Sequence, residues 1–145
     1  MDSGQRLQIG WELMPNAFLK SNLLELPTKR VIIAGSRTYR GGVEGIERAV
    51  KASGFDCEVV ICGCALGADS AGHMWAMENG RKVECFPADW KKHGKPAGII
   101  RNGQMAEVAD ALIAIWDGES RGTKDMIRRM EGKPTMVYWE GDWNA

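Results

Sequence analysis

The sequence predicts an α/β fold in which helices flank a doubly wound sheet of about five mainly parallel strands. From residue 30 onward, short apolar runs alternate with helix-like segments. The runs are continuously apolar, which is typical of strands that are covered on both faces. Because a helix separates each strand from the next, right-handed crossovers and parallel pairing are expected.

The predicted strands are short and are bounded by polar or turn-forming residues. They cover residues 31–34, 58–62, 83–86, 111–116 and 135–138. The fourth is the most apolar, and Pro87 closes the third. The turns after parallel strands meet at one edge of the sheet, where ligands bind in folds of this class.

The predicted helices lie between these strands, at residues 43–53, 70–79, about 96–108 and 123–130. Gly54, Gly80 and Gly132 follow three of them, and glycine often ends a helix. Asp69 is predicted as the N-cap of the second helix, with a ribose hydroxyl acceptor as its alternative role. Residues 87–95 are predicted to form a long loop.

Residues 1–29 are predicted to form an arm that is separate from the domain of residues 30–145. The arm contains Trp11, Phe18 and several leucines, and is too apolar for a disordered tail. No single hydrophobic period fits it. We interpret it as an arm or short helix that packs on the domain or, alternatively, on a second subunit, which makes a homo-oligomer an expected assembly.

The charge balance argues against two classes of partner. The chain has 19 basic and 19 acidic residues, and its formal net charge is zero. General nucleic-acid and membrane-surface binders depend on a basic excess, so neither partner is expected. With 44% hydrophobic residues, no signal peptide and no long uncharged apolar run, the chain is expected to be a cytoplasmic globular protein.

The chain has four cysteines, Cys57, Cys62, Cys64 and Cys85. Three fall in or beside predicted strands, so we interpret them as small core residues. Cys62 and Cys64 lack the CxxC spacing of zinc and redox sites, and only His73 and His93 could assist them. We therefore expect no metal and no disulfide framework.

The turn after the first predicted strand has the composition of an anion site. Gly35 would let the backbone approach a ligand, Ser36 could donate a hydroxyl proton, and Arg37 could bind an anion through two parallel N–H bonds. The alternative is an ordinary strand-to-helix turn with a solvated arginine.

Residues 118–123, after the fourth strand, form the second candidate turn. The backbone N–H groups of Gly122 and Thr123 could converge with the Thr123 hydroxyl on one phosphate, and Gly118 and Ser120 would widen that cradle. The alternative is a capped helix start. The segment matches neither the P-loop nor the dinucleotide fingerprint, so no cofactor is expected.

The two remaining turns add further candidates. Gly63 and Gly67 belong to a loop of small residues that a ligand could approach closely. Trp90 lies among lysines that include Lys95, and could stack on a base or anchor a loop. Arg101, in the following helix, could reach a phosphate or ribose.

Five motifs in this order resemble the YspA-like, YpsA-related branch of the SLOG superfamily, at residues 31–37, 63–69, 86–90, 98–102 and 116–126. The resemblance implies a Rossmann-like fold over about residues 31–137. The superfamily includes the Lonely Guy phosphoribohydrolases and the DprA and Smf-type DNA-processing proteins.

The part of the resemblance that bears on function is the Lonely Guy motif PGGxGTxxE. Gly122 and Thr123 match its GT pair, and Arg101 resembles the helix arginine upstream of it. Met126 stands where these relatives carry glutamate. Asp125 is the nearest carboxylate, but one residue on a helix turns a side chain by about 100°.

Three functions are therefore weighed. The favoured one is a sensor, carrier or sequestering protein for a nucleotide-derived phosphorylated ligand. The alternatives are a nucleoside monophosphate N-ribohydrolase with Asp125, or else Glu119 or Asp117, as its catalytic carboxylate, and a DprA-like DNA-processing protein. The predicted ligand-binding residues are Gly35, Ser36, Arg37, Gly63, Gly67, Asp69, Trp90, Lys95, Arg101, Asn102, Gly118, Ser120, Arg121, Gly122 and Thr123.

Overall fold

The computed structural model describes residues 17–19, 26–64 and 67–139, with residues 17–19 described as backbone only. The strands are β1 (Ala17–Leu19), β2 (Arg30–Gly35), β3 (Val59–Cys62), β4 (Lys82–Cys85), β5 (Ala111–Trp116) and β6 (Thr135–Trp139). The helices are α1 (Gly42–Ser53), α2 (Ala68–Glu78), α3 (Trp90–His93), α4 (Ala97–Val108) and α5 (Arg121–Arg129).

The sheet has the strand order β1-β6-β5-β2-β3-β4. Strands β2 to β6 pair in parallel, which confirms the predicted α/β fold. In chain order, β3 and β4 are added on one side of β2, and β5 is then added on the other side of β2. The strand order therefore reverses between β2 and β5, and this switch point is where open α/β sheets form their ligand crevice.

Two apolar layers explain why the strands are continuously hydrophobic. Ile33 packs in a cluster with Ile46 of α1 and Trp75 of α2 on one face of the sheet. Its neighbour Ile32 packs with Met105 of α4 on the other face. Because side chains alternate between faces along a strand, a sheet covered on both faces needs apolar residues at every position.

The structure corrects several predicted boundaries. Helix α2 begins at Ala68 with Gly67 as its N-cap and no side-chain capping bond, so the prediction of Asp69 as N-cap was wrong. Asp69 lies within the first turn of α2 instead. Ser120 is the N-cap of α5, and the one-turn helix α3 interrupts the predicted long loop.

The N-terminal arm is described only in part. Residues 17–19 form β1, which pairs antiparallel with β6 and extends the sheet at that edge. Residues 1–16 and 20–25, including Trp11, lie outside the described residues. Within the described part of the chain, every helix is too short or too polar to traverse a bilayer.

The cysteines divide into two pairs. Cys57 and Cys62 are fully buried, as expected of core residues. Cys64 and Cys85 are exposed and form a disulfide with a Cα–Cα distance of 5.9 Å, so the prediction of no disulfide was wrong. The cause is the parallel register of β3 and β4, which pairs Cys62 with Cys85 and brings the residues just beyond β3 to the end of β4.

Candidate functional site

A pocket of about 400 Å³ lies at the carboxyl ends of β2 and β5, between the two turns that follow these strands. A second pocket of about 290 Å³ adjoins it and shares Arg37 and Arg101 with it. We call the first the crevice and the second the side pocket. The crevice lies at the switch point of the sheet because β2 and β5 are direct neighbours, paired from Val31 with Ala111 to Gly35 with Ile115.

Ser36 connects the two turns that border the crevice. Its backbone N–H donates to the Ile115 carbonyl at 2.9 Å, and its hydroxyl oxygen accepts from the Asp117 backbone N–H at 3.1 Å. The residue is buried, with 1% of its surface exposed. These two contacts fix the first turn against the end of β5, so the Ser36 hydroxyl organises the crevice as well as lining it.

Gly35 is required by the sheet. A Cβ built on this residue would lie 2.1 Å from the backbone oxygen of Ile115 in the neighbouring strand. We predicted that a glycine stands here so that a ligand can approach, but the adjacent backbone of β5 accounts for the absence of a side chain. A side chain here would push β2 and β5 apart at the edge that forms the crevice.

Asp117 orders the second turn. Its Oδ1 atom accepts hydrogen bonds from the backbone N–H groups of Glu119 and Ser120, both at 2.8 Å. These bonds lower the pKa of the Asp117 carboxyl, with the Ser120 N–H as the larger cause. The carboxylate is therefore ionised at neutral pH, and two backbone donors are already directed at its charge.

The start of α5 supplies the other wall of the crevice. The Ser120 hydroxyl oxygen accepts from the Thr123 backbone N–H at 3.5 Å and lies 3.2 Å from the Thr123 hydroxyl. Gly122 also lines the crevice, and a Cβ built on it would meet no heavy atom within 4 Å. A helix N-terminus that opens onto free space attracts anions, because its first N–H groups lack partners within the helix.

Arg101 lies where the crevice meets the side pocket. One guanidinium nitrogen, Nη1, donates to the Gly63 carbonyl at 2.7 Å and to the Phe86 carbonyl at 3.3 Å. Its Nε atom is buried and has no acceptor among residues 26–64 and 67–139. A buried donor without a partner costs free energy, so this nitrogen is a natural contact for an acceptor on a bound ligand.

Asn102 and Asp125 join α4 to α5. The Asn102 amide nitrogen donates to the Gly122 carbonyl and to Asp125 Oδ2, both at 3.1 Å. The same carboxylate oxygen accepts from Arg129 Nε at 2.9 Å. Asp125 does not line the crevice, whereas the apolar side chain of Met126 does. The nearest carboxylate to the relatives' catalytic position is thus engaged in contacts between two helices.

Trp90 stands at the side pocket, with half of its surface exposed. It begins the one-turn helix α3, which Asp89 caps by accepting from the Lys92 backbone N–H at 3.1 Å. The indole ring lies beside Gly98, where an added Cβ would be 3.6 Å from the ring. An exposed aromatic surface beside two arginines is a suitable platform for a planar base.

The structure brings most of the predicted ligand residues together. The crevice is lined by Gly35, Ser36, Arg37, Asp69, Arg101, Asn102, Ser120, Gly122 and Thr123, and the side pocket by Arg37, Gly63, Trp90 and Arg101. Neither pocket is lined by Gly67, Lys95, Gly118, Arg121 or Asp125.

Sequence reasoning missed other residues that line the pockets, among them Thr38 and Cys64, and it considered Asp117 as an alternative catalytic carboxylate but not as the residue that orders the turn. Asp117 directly follows β5, and an aspartate side chain often accepts from the backbone N–H two residues on, as in an Asx turn. An aspartate at this position of the turn could have indicated that role. Gly67 plays a supporting role, since a Cβ there would lie 2.4 Å from the Ser36 carbonyl oxygen.

Two curated proteins are similar in sequence. The Gene 61 protein of Mycobacterium phage D29 is 34% identical over 123 residues, which cover 79% of this chain and 98% of that protein. The DNA processing protein DprA of Streptococcus pneumoniae is 37% identical over 68 residues, which cover 46% of this chain and 23% of DprA. No protein-family model matches the chain.

The X-ray structure of DprA from Streptococcus pneumoniae shares the fold, with a TM-score of 0.56 and 24% sequence identity. The match covers 82% of this chain and 53% of that structure, so the chain spans about half of the DprA structure. DprA is a protein of the SLOG superfamily, so a member of the superfamily that the sequence resembles is both a structural neighbour and a distant homologue of this chain, while the YspA-like branch stays a prediction. The chain belongs to the family of the Mycobacterium phage D29 Gene 61 protein, which it matches over almost the whole length of that protein.

Proposed function

We propose that this protein binds a phosphorylated, nucleotide-derived ligand in the crevice and acts as a sensor, carrier or sequestering protein. The observation that carries the proposal is the buried Arg101 Nε atom, which has no acceptor in the described part of the chain. A phosphate or ribose oxygen at the junction of the two pockets would provide that acceptor.

Three sources of positive potential support a phosphate in the crevice. Arg37 is exposed and lines it, Arg101 contributes the second guanidinium, and the N-terminus of α5 opens onto it at Gly122. Helix N-termini and arginines are the groups that most often bind phosphate in α/β folds. The volume of about 400 Å³ is within the usual range for small-molecule sites.

The side pocket supports a ligand with a base. It meets the crevice at Arg37 and Arg101, so one molecule could extend from one pocket into the other. Trp90 offers its exposed ring there, and a base stacked on an aromatic side chain gains about 1–3 kcal/mol. Phosphate contacts in the crevice and base contacts at Trp90 would together suit a nucleotide-derived ligand.

The geometry favours binding over hydrolysis of the N-glycosidic bond. Hydrolysis of the Lonely Guy type requires a carboxylate in contact with the ribose. Asp125 is held by Arg129 and Asn102, and Met126 lines the crevice in its place. Asp117 is ionised and lines the crevice, but its Oδ1 atom already accepts two backbone hydrogen bonds.

The test combines a binding assay with a chemical one. Purified protein is titrated with nucleoside monophosphates, cyclic nucleotides and ADP-ribose by calorimetry, and each mixture is then analysed for released base. We expect one of these ligands to bind without base release. Arg101→Ala should weaken that binding by about 10- to 150-fold, the equivalent of a charge-assisted hydrogen bond worth about 1.5–3 kcal/mol.

Matched variants distinguish the loss of a ligand contact from the loss of a positive charge elsewhere on the protein. Arg128→Ala removes the same charge from the exposed last turn of α5 and should leave the affinity unchanged. Arg37→Ala tests the crevice without removing the Arg101 contacts to Gly63 and Phe86. An equal loss in Arg101→Ala and Arg128→Ala, or base release that disappears in Asp125→Asn, would contradict the proposal.

DNA binding is the second candidate, and the sequence similarity to a DNA-processing protein favours it. The zero net charge of the chain argues against it, because DNA affinity depends on a basic excess. Fluorescence anisotropy with a labelled single-stranded oligonucleotide tests it directly. Salt-sensitive binding that survives in Arg101→Ala would support DNA binding at another surface.

A further inference from the structure

A cluster of sulfur and nitrogen atoms lies at the ends of β3 and β4, next to the side pocket. The Sγ atoms of Cys62 and Cys85 are 3.6 Å apart, and the Nδ1 atom of His73 is 3.9 Å from the Cys85 sulfur. These three ligand atoms all lie within 4.8 Å of one another. The sulfur of Cys64 is at the same place, because it is bonded to that of Cys85.

The spacing of these atoms fits a tetrahedral zinc ion. With Zn–S distances of about 2.3 Å and Zn–N distances of about 2.0–2.1 Å, neighbouring ligand atoms are about 3.5–3.8 Å apart. The distances from Cys85 to Cys62 and to His73 are close to this range. Three cysteines and one histidine are a donor set that structural zinc sites use.

We propose that Cys62, Cys64, His73 and Cys85 bind one Zn²⁺ ion when the protein is reduced. The Cys64–Cys85 bond must first be cleaved by a thiol reductant, which gives two cysteine thiols while two reductant thiols become a disulfide. Zinc then displaces three thiol protons and forms three Zn–S bonds and one Zn–N bond. The zinc ion itself undergoes no change in oxidation state.

The expectation of no metal rested on the missing CxxC spacing at Cys62 and Cys64 and on the small number of histidines, His73 and His93, that could assist them. The fold adds the other two ligands, His73 from α2 and Cys85 from the end of β4. Four protein ligands leave no open position, so the site would be structural. A zinc ion there would fix the turn after β3, which contains the Gly63 carbonyl that accepts from Arg101. The zinc site is independent of the ligand proposed for the crevice.

Metal analysis of the full chain tests the site. Protein purified in the presence of a thiol reductant and Zn²⁺, then dialysed against metal-free buffer, should retain one zinc ion per chain by plasma mass spectrometry. Cys62→Ser and His73→Gln should each lose most of that zinc. Cys57→Ser and His93→Gln are matched controls that should keep it, because these residues lie outside the cluster.

Cys57 is a suitable control since it is fully buried, and burial raises the pKa of its thiol to about 12.

Cobalt provides a second measurement that works on the unaltered chain. Co²⁺ added to the reduced protein should give the visible absorption of tetrahedral thiolate coordination, and Zn²⁺ should abolish it. A reduced, folded protein that binds neither ion, or variants and controls that lose zinc equally, would overturn the proposal.

Discussion

The crevice and the cysteine–histidine cluster lie along the same edge of the sheet, yet they are built from different groups. The crevice is lined by turns with backbone donors and by two arginines, between the neighbouring strands β2 and β5. The cluster uses three sulfur atoms and an imidazole, at the ends of β3 and β4. One topology therefore presents backbone donors and arginines at its centre, where we propose that an anion binds, and thiols with an imidazole toward its edge, where we propose a zinc site.

The two regions also differ in how they are held together. In the crevice, the turns are joined by two hydrogen bonds of Ser36: its backbone N–H donates to the Ile115 carbonyl, and its hydroxyl oxygen accepts from the Asp117 backbone N–H. In the cluster, side chains from β3, α2 and β4 meet, and the Cys64–Cys85 bond provides the covalent link. Substitutions in the crevice should therefore disturb the backbone groups that form its walls, whereas those in the cluster should remove a sulfur or nitrogen atom directly.

The largest expected effect in the crevice comes from Gly35→Ala. The added methyl group would overlap the Ile115 carbonyl oxygen, which cannot move without disturbing the β2–β5 pairing. We expect a loss of about 3 kcal/mol in the free energy of unfolding, at the upper end of overpacking effects. Urea denaturation followed by circular dichroism measures it.

Gly122→Ala is the matched control, because nothing lies within 4 Å of the added methyl group. Its free energy of unfolding should stay within about 0.5 kcal/mol of the parent value. Ligand affinity should nevertheless fall if phosphate approaches the start of α5 closely. Similar stabilities for the two variants would show that the β2–β5 contact does not require glycine.

A smaller effect is expected from Ser36→Ala. The change leaves the Asp117 backbone N–H without its acceptor and should cost about 1–2 kcal/mol of stability, together with affinity for the crevice ligand. Ser53→Ala provides the comparison, since the Ser53 hydroxyl oxygen accepts from the Phe55 backbone N–H at 3.0 Å, far along the chain from both turns. If both variants lose affinity equally, Ser36 does not act by joining the turns.

Local patterns predicted the features that depend on local causes. The continuous apolar strands indicated a sheet covered on both faces, and the connection lengths indicated parallel pairing. The two turns could be assigned to one edge of the sheet because the turns after parallel strands meet there. Ser36 and Thr123 were identified in this way before any contact was known.

Contacts between distant segments could not be read in the same way. The meeting of Cys64 with Cys85 depends on the register of β3 and β4, which no local pattern reports. The engagement of Asp125 depends on Asn102 in α4, and the requirement for Gly35 depends on the backbone of β5. In each case a second element, remote in sequence, decides the role of the residue.

The smallest expected effect concerns the dependence of stability on pH at Asp117. The N–H groups of Ser120 and Glu119 hold the pKa of this carboxyl below its ordinary value of 3.8. The ionised form is thus favoured by folding, so its contribution is fully present above that value and is lost as the pH falls through the lower pKa of the folded state. Because the side chain is exposed, we expect less than about 1 kcal/mol.

Asp117→Asn isolates this contribution, since asparagine keeps an oxygen acceptor for the two N–H groups but carries no charge. Urea denaturation of both proteins should show the parent to be more stable near neutral pH. The difference should shrink at acidic pH as the parent carboxyl becomes protonated. The Arg30–Glu84 ion pair is present in both proteins, so its own acid sensitivity cancels in the comparison. A difference that stays constant with pH would mean that the turn at the crevice is ordered by hydrogen-bond geometry alone, without help from charge.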